Sequence, residues 1–450
     1  MHKLSKINYC YIFITVLLAL MATSVLLRLR NQKPIEMTHG PVEIKTIDLS
    51  GHDDEPRSQA DLMEASAADT SQLAAANAQT LPDEPSPAPE ATAVSAALDM
   101  PSPFPDRTPN ETGKVMVHLF HRFLREYEGG DKTVTMTLDA FRAFLQSTYD
   151  KGYRPVSMAD YLDNNISLPK GCIPMVITFD DGWASQFQLI EENGEYKVHP
   201  DTAVGVWMDF NREHPDFALR AVFYLNLGRP TTFGEVGTLS ERLQYLLDLG
   251  FELGNHTYEH INLRAASDEE VLYQIGKNQV AYETALPGKK FDTLALPYGN
   301  YRPEILSIIA SGEYEGVSYA HRAVFLAGAE PSSIASREDF DMSKPIPRIL
   351  SPGIEPAFMD SDWWLDEENY GLKRQYISDG DPSSISLSDS NEELLSPLAS
   401  DRWTVKILPE SGAAPAEDAL SNALPTPENP NENSNAEPTL GPDAVPPASS

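Results

Sequence analysis

Between Lys114 and Ala320, short apolar runs take turns with stretches of helical period, and this alternation restricts the fold more than any other feature of the chain. "KVMVHLF" at 114–120 reads as a strand. Leu138, Phe141, Leu145 and Tyr149 then recur three or four residues apart, the spacing of one helix face. Gly152 ends that helix, "YRPV" supplies a short strand, and Ser157 caps a short helix, "MADYLDN". "PMVITF" at 174–179 and "RAVFYLN" at 220–226 are further strands, the second followed by a helix from Glu241 to Leu249. "FELGN" gives another short strand, and Ser267 with Glu270 forms a capping box that opens a helix to about Thr284. "DTLALP" and "EGVSYA" are expected to close the series, with a helix from Pro303 to Ala310 between them. Strands alternating with helices build a parallel sheet, open or rolled up. The expected fold class is α/β, a distorted parallel (β/α) barrel, whose chemistry gathers at the C-terminal ends of the strands.

The rest of the chain frames this block. A length of 450 residues accommodates one domain of enzyme size and added segments. Lys3 and Lys6 precede an apolar run from Tyr9 to Leu27. A bilayer span takes about 20 apolar residues and a signal-peptide core about 7–15, so residues 1–33 are assigned as an N-terminal membrane anchor. Cleavage as a signal segment is the alternative, because "ALMA" offers small residues. Residues 34–113 are assigned as a disordered Pro/Ala/acidic spacer, since "LPDEPSPAPEATA" cannot bury a core. Residues 114–376 form the folded domain, and 377–450 a disordered acidic Pro/Ser-rich tail. Within that tail "RWTVKIL" at 402–408 reads as a stray apolar patch, with an edge strand as the alternative. The net charge of −33 argues against a nucleic-acid partner, whose phosphates it would repel. Much of that acidity lies in the flanks and says little about a binding face. Cys10 and Cys172 form no metal pattern.

Two constellations carry chemistry. Asp180 and Asp181 stand together after an apolar strand and before Gly182. Alone they fit a turn, because Asp-Gly after a strand is a hairpin signal. His256 and His260 are four apart, so both imidazoles face one way on a helical turn. That spacing suits Zn²⁺ at ~2.0–2.1 Å, although an isolated pair fits two surface histidines equally well. Two histidines and one carboxylate form a catalytic zinc set with an open position for water, with Asp181 as the third ligand.

"TFDDG", "HTYEH" and "LPYG", in that order, resemble the polysaccharide deacetylase family, carbohydrate esterase family 4, from about Lys114 to about Ser351. The resemblance implies a barrel of the polysaccharide deacetylase type. It implies Asp180 as general base, and Asp181, His256 and His260 as ligands of Zn²⁺ or another divalent metal. Tyr298, in "LPYG", is implied to hold the oxyanion through its backbone N–H. "VHLFHRF" is similar to the opening of the circularly permuted branch and implies His121 as general acid. His118 reads as a satisfied core or surface histidine, and His321 in "SYAHRA" lies on the wrong kind of segment. The family's Arg two positions before the Pro is replaced by Ala295. "KPIPRIL" is similar to a Pro-Arg-Ile step of permuted members, which implies Arg348 as the guanidinium that steadies the base. Relative to compact members, 184–215 is an insertion, either a hairpin and helix beside the cleft or a solvated excursion. The expected activity is metal-dependent removal of N-acetyl groups from an extracellular N-acetylglucosamine polymer. The alternatives are an O-acetyl esterase on acetylated xylan and a non-catalytic sugar-binding module. The expected location is the cell membrane, single-pass, with the catalytic domain extracellular, or secreted after signal cleavage.

Overall fold

The computed structural model describes residues 102–328 and 330–409. The expected anchor at 1–33, most of the spacer and the tail beyond 409 lie outside the described residues. Among the described residues no helix is long and apolar enough to cross a membrane.

Seven strands form the central sheet: β1 (Met116–Phe120), β2 (Ile173–Asp181), β3 (Val222–Leu225), β4 (Glu252–Asn255), β5 (Thr293–Ala295), β6 (Ala323–Phe325) and β7 (Ile349–Leu350). They pair in parallel in the order β6-β5-β4-β3-β2-β1-β7. A further strand, Tyr153–Pro155, pairs with the start of β2. The sheet curls until its ends approach. Phe325 and Ile346 form a parallel bridge, and the Leu326 N–H donates to the Ile346 carbonyl at 2.8 Å.

Strand periodicity divides the apolar residues between two layers. Met175, Ile177 and Phe179 of β2 pack with Phe120, Phe141 and Phe223 toward the helices. Val176 packs instead with Val117, Val222, Tyr224, Ala295 and Phe325 inside the curl. Burial on both faces is why these strands read as continuous apolar runs. Thr178 and Asp180 share the parity of Val176 and follow it inward.

The helices start where the caps place them. Thr137, Ser157 and Ser267 each accept a backbone N–H three residues on, and Thr238 with Glu241 forms a capping box. The helices they open span Leu138–Asp150, Met158–Asp163, Asp268–Ala285 and Leu239–Asp248.

Three expectations need correction. "EGVSYA" is not the last strand of the parallel sheet. Val317–Ala320 pairs antiparallel with Ser311–Tyr314 around Glu315 and Gly316, both at positive φ. The sheet continues instead with the fully buried Ala323–Phe325 and the two-residue β7. The expected tail is folded as far as Pro409. Ser384–Ser388 pairs in parallel with Thr404–Leu408, and Ile385, Leu387, Ala399 and Trp403 form a small core of their own. "RWTVKIL" is therefore part of a strand, not a stray patch. The spacer boundary also moves, because Glu111 and Thr112 are buried and the Asn110 N–H donates to the Ile377 carbonyl at 2.9 Å. The insertion resolves into a hairpin, Leu189–Glu192 with Glu195–Val198, and a helix, Ala203–Glu213. Trp207 and Phe210 of that helix are buried in the main core, so it is no solvated excursion.

Candidate active site

Adjacent residues on a strand point to opposite faces, so a regular β2 would send Asp180 and Asp181 apart. Asp181 has φ 81°, the left-handed region that few non-glycine residues adopt. The strand breaks there, and both carboxylates face one place. His256 Nε2 lies 3.7 Å from Asp180 Oδ2 and 3.6 Å from Asp181 Oδ1. His260 Nε2 lies 3.3 Å from Asp181 Oδ1.

The histidines come from the turn after β4. His256 Nδ1 is 2.8 Å from the carbonyl of Ala295, which makes Nδ1 the protonated nitrogen and leaves Nε2 a lone pair toward the carboxylates. His260 does not sit on a regular helix. It has φ 58°, and its N–H donates to Thr257 Oγ1 at 3.1 Å. The four-residue spacing brings the rings together through a tight turn, 4.9 Å between centroids. Burial, then the neighbouring His256, pulls the His260 pKa down to about 4, and Arg229 acts in the same direction.

Asp181, His256 and His260 each direct one ligand atom into a space where all three atoms lie within 4.8 Å of one another. Asp181 Oδ1 and His256 Nε2 are buried without a hydrogen-bond partner among the described residues. Buried polar atoms are rarely left unpaired, so these two are aimed at something else. Two imidazoles and a carboxylate suit Zn²⁺ or another divalent metal, and the residues present fit such an ion. Asp181 Oδ2 is occupied separately, accepting the Trp183 indole N–H at 2.8 Å.

Asp180 is held from the other side. Arg348 is fully buried and forks onto it, Nη1 to Oδ1 at 2.8 Å and Nη2 to Oδ2 at 2.7 Å. Nη1 also reaches Thr178 Oγ1 at 3.0 Å, and Nε donates to the Leu326 carbonyl at 2.6 Å. Ala295 presents only a methyl group to the same interior. Burial pushes the Asp180 carboxyl up, but Arg348 outweighs it, with help from His256, and the pKa falls to about 2. For Asp181, burial is likewise outweighed by His256, His121 and His260, and its pKa falls.

His121 follows β1. Its Nδ1 is buried without a partner among the described residues. Burial lowers its pKa, while Asp180 and Asp181 act to raise it. Tyr298 has φ 60°, is 61% exposed, and sets its ring against His260 at 4.7 Å. His118 is a core residue, its Nδ1 2.7 Å from Ser361 Oγ and its ring against Phe144. His321 is buried, with Nδ1 2.7 Å from the Ile309 carbonyl.

Sequence reasoning missed Gln186 and Trp183. The buried Gln186 amide donates to the carbonyl of His121 at 2.6 Å and to that of Asp180, tying the ends of β1 and β2 together. No pattern announces it, because its partners are backbone carbonyls brought near by the sheet. Trp183 stands next to the motif, and its side-chain N–H was the available signal.

Residues 214–317 match the family model described as polysaccharide deacetylase. The match takes in His256, His260 and Tyr298, while His121, Asp180 and Asp181 precede it and Arg348 follows it. The chitooligosaccharide deacetylase of Azorhizobium caulinodans is 31% identical over 133 residues, 30% of this chain and 51% of that protein. The chain thus spans about half the length of this curated relative. Among solved structures, the deacetylase PplD of Streptococcus pyogenes in complex with acetate aligns at 18% identity and TM-score 0.40, over 54% of this chain and 93% of that one. IcaB from Ammonifex degensii aligns at 19% identity and TM-score 0.38, over 54% and 94%. The resemblance to polysaccharide deacetylases thus falls on the segment that carries His256, His260 and Tyr298.

Proposed function

We propose that this protein is a metal-dependent deacetylase that removes N-acetyl groups from an extracellular N-acetylglucosamine polymer. The observation that carries the reading is the division of the adjacent carboxylates, Asp180 onto Arg348 and Asp181 toward His256 and His260. A divalent ion on Asp181, His256 and His260, Zn²⁺ first among candidates, supplies Lewis acidity that acidifies water and polarises a carbonyl. Asp180, kept ionised by the guanidinium fork, takes the proton of the attacking water. The Tyr298 backbone N–H donates to the oxygen that gains charge as the acetyl carbon becomes tetrahedral. His121 in its protonated form gives its proton to the amide nitrogen as the C–N bond breaks. Acetamide and water thus end as acetate and an ammonium, the proton that Asp180 takes balancing the one that His121 gives.

The apolar run from Tyr9 to Leu27 and the acidic, Pro-rich stretch after it support placement at a cell membrane. There an anchored domain reaches a wall or surface polysaccharide, and release by cleavage yields a secreted form. Acetate release from chitin oligomers, peptidoglycan and acetylxylan, measured beside metal content, tests the activity. Turnover on an N-acetylated polymer, lost together with metal in His256→Ala and His260→Ala, supports the proposal. Full metal occupancy in either variant refutes the ligand set, and turnover on acetylxylan alone makes the protein an O-acetyl esterase. Extraction of the full-length protein from membranes by high salt alone refutes the anchor.

A further inference from the structure

At the edge of the site Arg229 lies over Trp183, its guanidinium carbon 4.7 Å from the ring centroid. Both are held in place. The indole N–H is fixed on Asp181 Oδ2, so the ring keeps one orientation, with 40% of the residue exposed. Arg229 belongs to the loop after β3. Asn226 of that loop donates to the carbonyls of His256 and Thr257, the latter at 2.9 Å, and Gly228 donates to that of Tyr258 at 2.9 Å. Thr232 Oγ1 donates to the Arg229 carbonyl at 3.2 Å. The backbone that carries Arg229 is therefore tied to the turn that carries His256 and His260.

What the guanidinium lacks matters as much. Among the described residues it reaches the indole face and no carboxylate or carbonyl. The chain has 67 acidic residues against 34 lysines and arginines, so an arginine without an acidic neighbour is not for want of acids. Arg125, Arg142, Arg154, Arg302, Arg322 and Arg337 all have one. A guanidinium stacked on a ring keeps its edge donors free in a planar fork, which suits a carboxylate or phosphate. A neutral sugar gains little from such a fork. The ammonium that deacetylation leaves is repelled by it.

We propose that the Trp183–Arg229 pair selects an acidic amino-sugar polymer, one that carries a carboxylate or phosphate within about one sugar ring of the scissile acetamide. The acid group enters the Arg229 fork while the sugar face lies along the exposed indole. This inference rests on the deacetylase reading and names the substrate class of that same site. Glycan strands whose sugars bear a lactyl ether carboxylate have the required chemistry. Phosphate-substituted amino-sugar polymers are the other source.

The test compares three ligands on the metal-loaded protein: a glycan-strand fragment with free lactyl carboxylates, the same fragment as its methyl ester, and a phosphate-substituted N-acetylglucosamine oligomer. Acetate release gives kcat/KM, and calorimetry gives Kd independently of turnover. The free acid or the phosphate oligomer should exceed the ester by roughly 10-fold in Kd at low salt, as one hydrogen-bonded charge allows, and the gap should shrink as salt rises. In Arg229→Gln the acid-to-ester ratio should fall to about one, and Arg229→Lys, which keeps the charge without the fork, should lie between. Equal affinity for acid and ester in the wild type overturns the proposal, as does a ratio that survives Arg229→Gln. Acid-selective binding with no acetate from any ligand would refute the deacetylase reading and leave the selection standing.

Discussion

Asp180 and Arg348 form a buried pair whose two charges answer only to each other and to the site. Removing one partner of such a pair leaves an uncompensated buried charge and costs roughly 3–5 kcal/mol, while removing both costs much less. Arg348→Met is therefore expected to lower stability by about that amount, and Asp180→Asn in the same chain to recover most of the loss. Urea unfolding of the two single variants and the double variant checks this, and strictly additive losses would show that the pair is not coupled. Asp180→Asn alone should retain the metal and lose about 10²–10⁴-fold in kcat, the usual contribution of a general base. The identities of these residues were readable in the sequence, because their chemistry sits in short motifs and in the Pro-Arg-Ile step. The reason for two adjacent acids was not readable. It lies in one backbone angle, φ 81° at Asp181, which sends the second carboxylate to the same side as the first.

Elements were legible in proportion to their length and burial. β2, buried throughout, and the Asp268–Ala285 helix, with its Ser267 cap, emerge directly from apolar runs and capping residues. β7, with two residues, carries too little pattern, and β6 is a three-residue strand that follows closely on the strand-like "EGVSYA". The parallel pair of Ser384–Ser388 and Thr404–Leu408 was hidden for another reason. Its core is four residues scattered through Ser-, Asp- and Glu-rich sequence, and Leu387 finds its neighbours only after the chain has turned back. A folded element of this kind should matter to stability where a tail would not. Leu387→Ala removes a fully buried side chain and should cost about 2–5 kcal/mol. A denaturant midpoint unchanged from wild type would return this stretch to the status of an appendage.

At the scale of the whole molecule, one carboxyl joins the two ends of the described chain. The Glu111 side chain accepts the Ser386 N–H at 2.7 Å, the Asp379 N–H at 3.1 Å and the Tyr376 hydroxyl at 3.0 Å. Its backbone N–H donates to the Ser386 carbonyl at 2.7 Å. This group clamps the segment before β1 to the strand pair after the central sheet, which is why neither boundary could be read from local composition. Burial, then the neighbouring Asp379, raises the Glu111 pKa from 4.5 to about 8, against the pull of its three donors. Asp379 is in turn paired with Lys406 at 3.0 Å, so the nearest cation is engaged with the neighbour and not with Glu111. The sign follows from linkage. Between pH 4.5 and about 8 the folded state holds a proton at Glu111 that the unfolded state has released. Stability from this group is full below pH 4.5 and declines as pH rises toward about 8. Glu111→Gln cannot ionise and loses an acceptor for one of the donors, so it should be less stable than wild type at pH 5. The difference should narrow steadily on the way to pH 8, because only the wild type is weakened by the rise. Unfolding free energies of both proteins at half-unit steps across that range measure it. A difference that stays constant with pH would mean that Glu111 is ionised throughout and that the clamp is an ordinary set of hydrogen bonds.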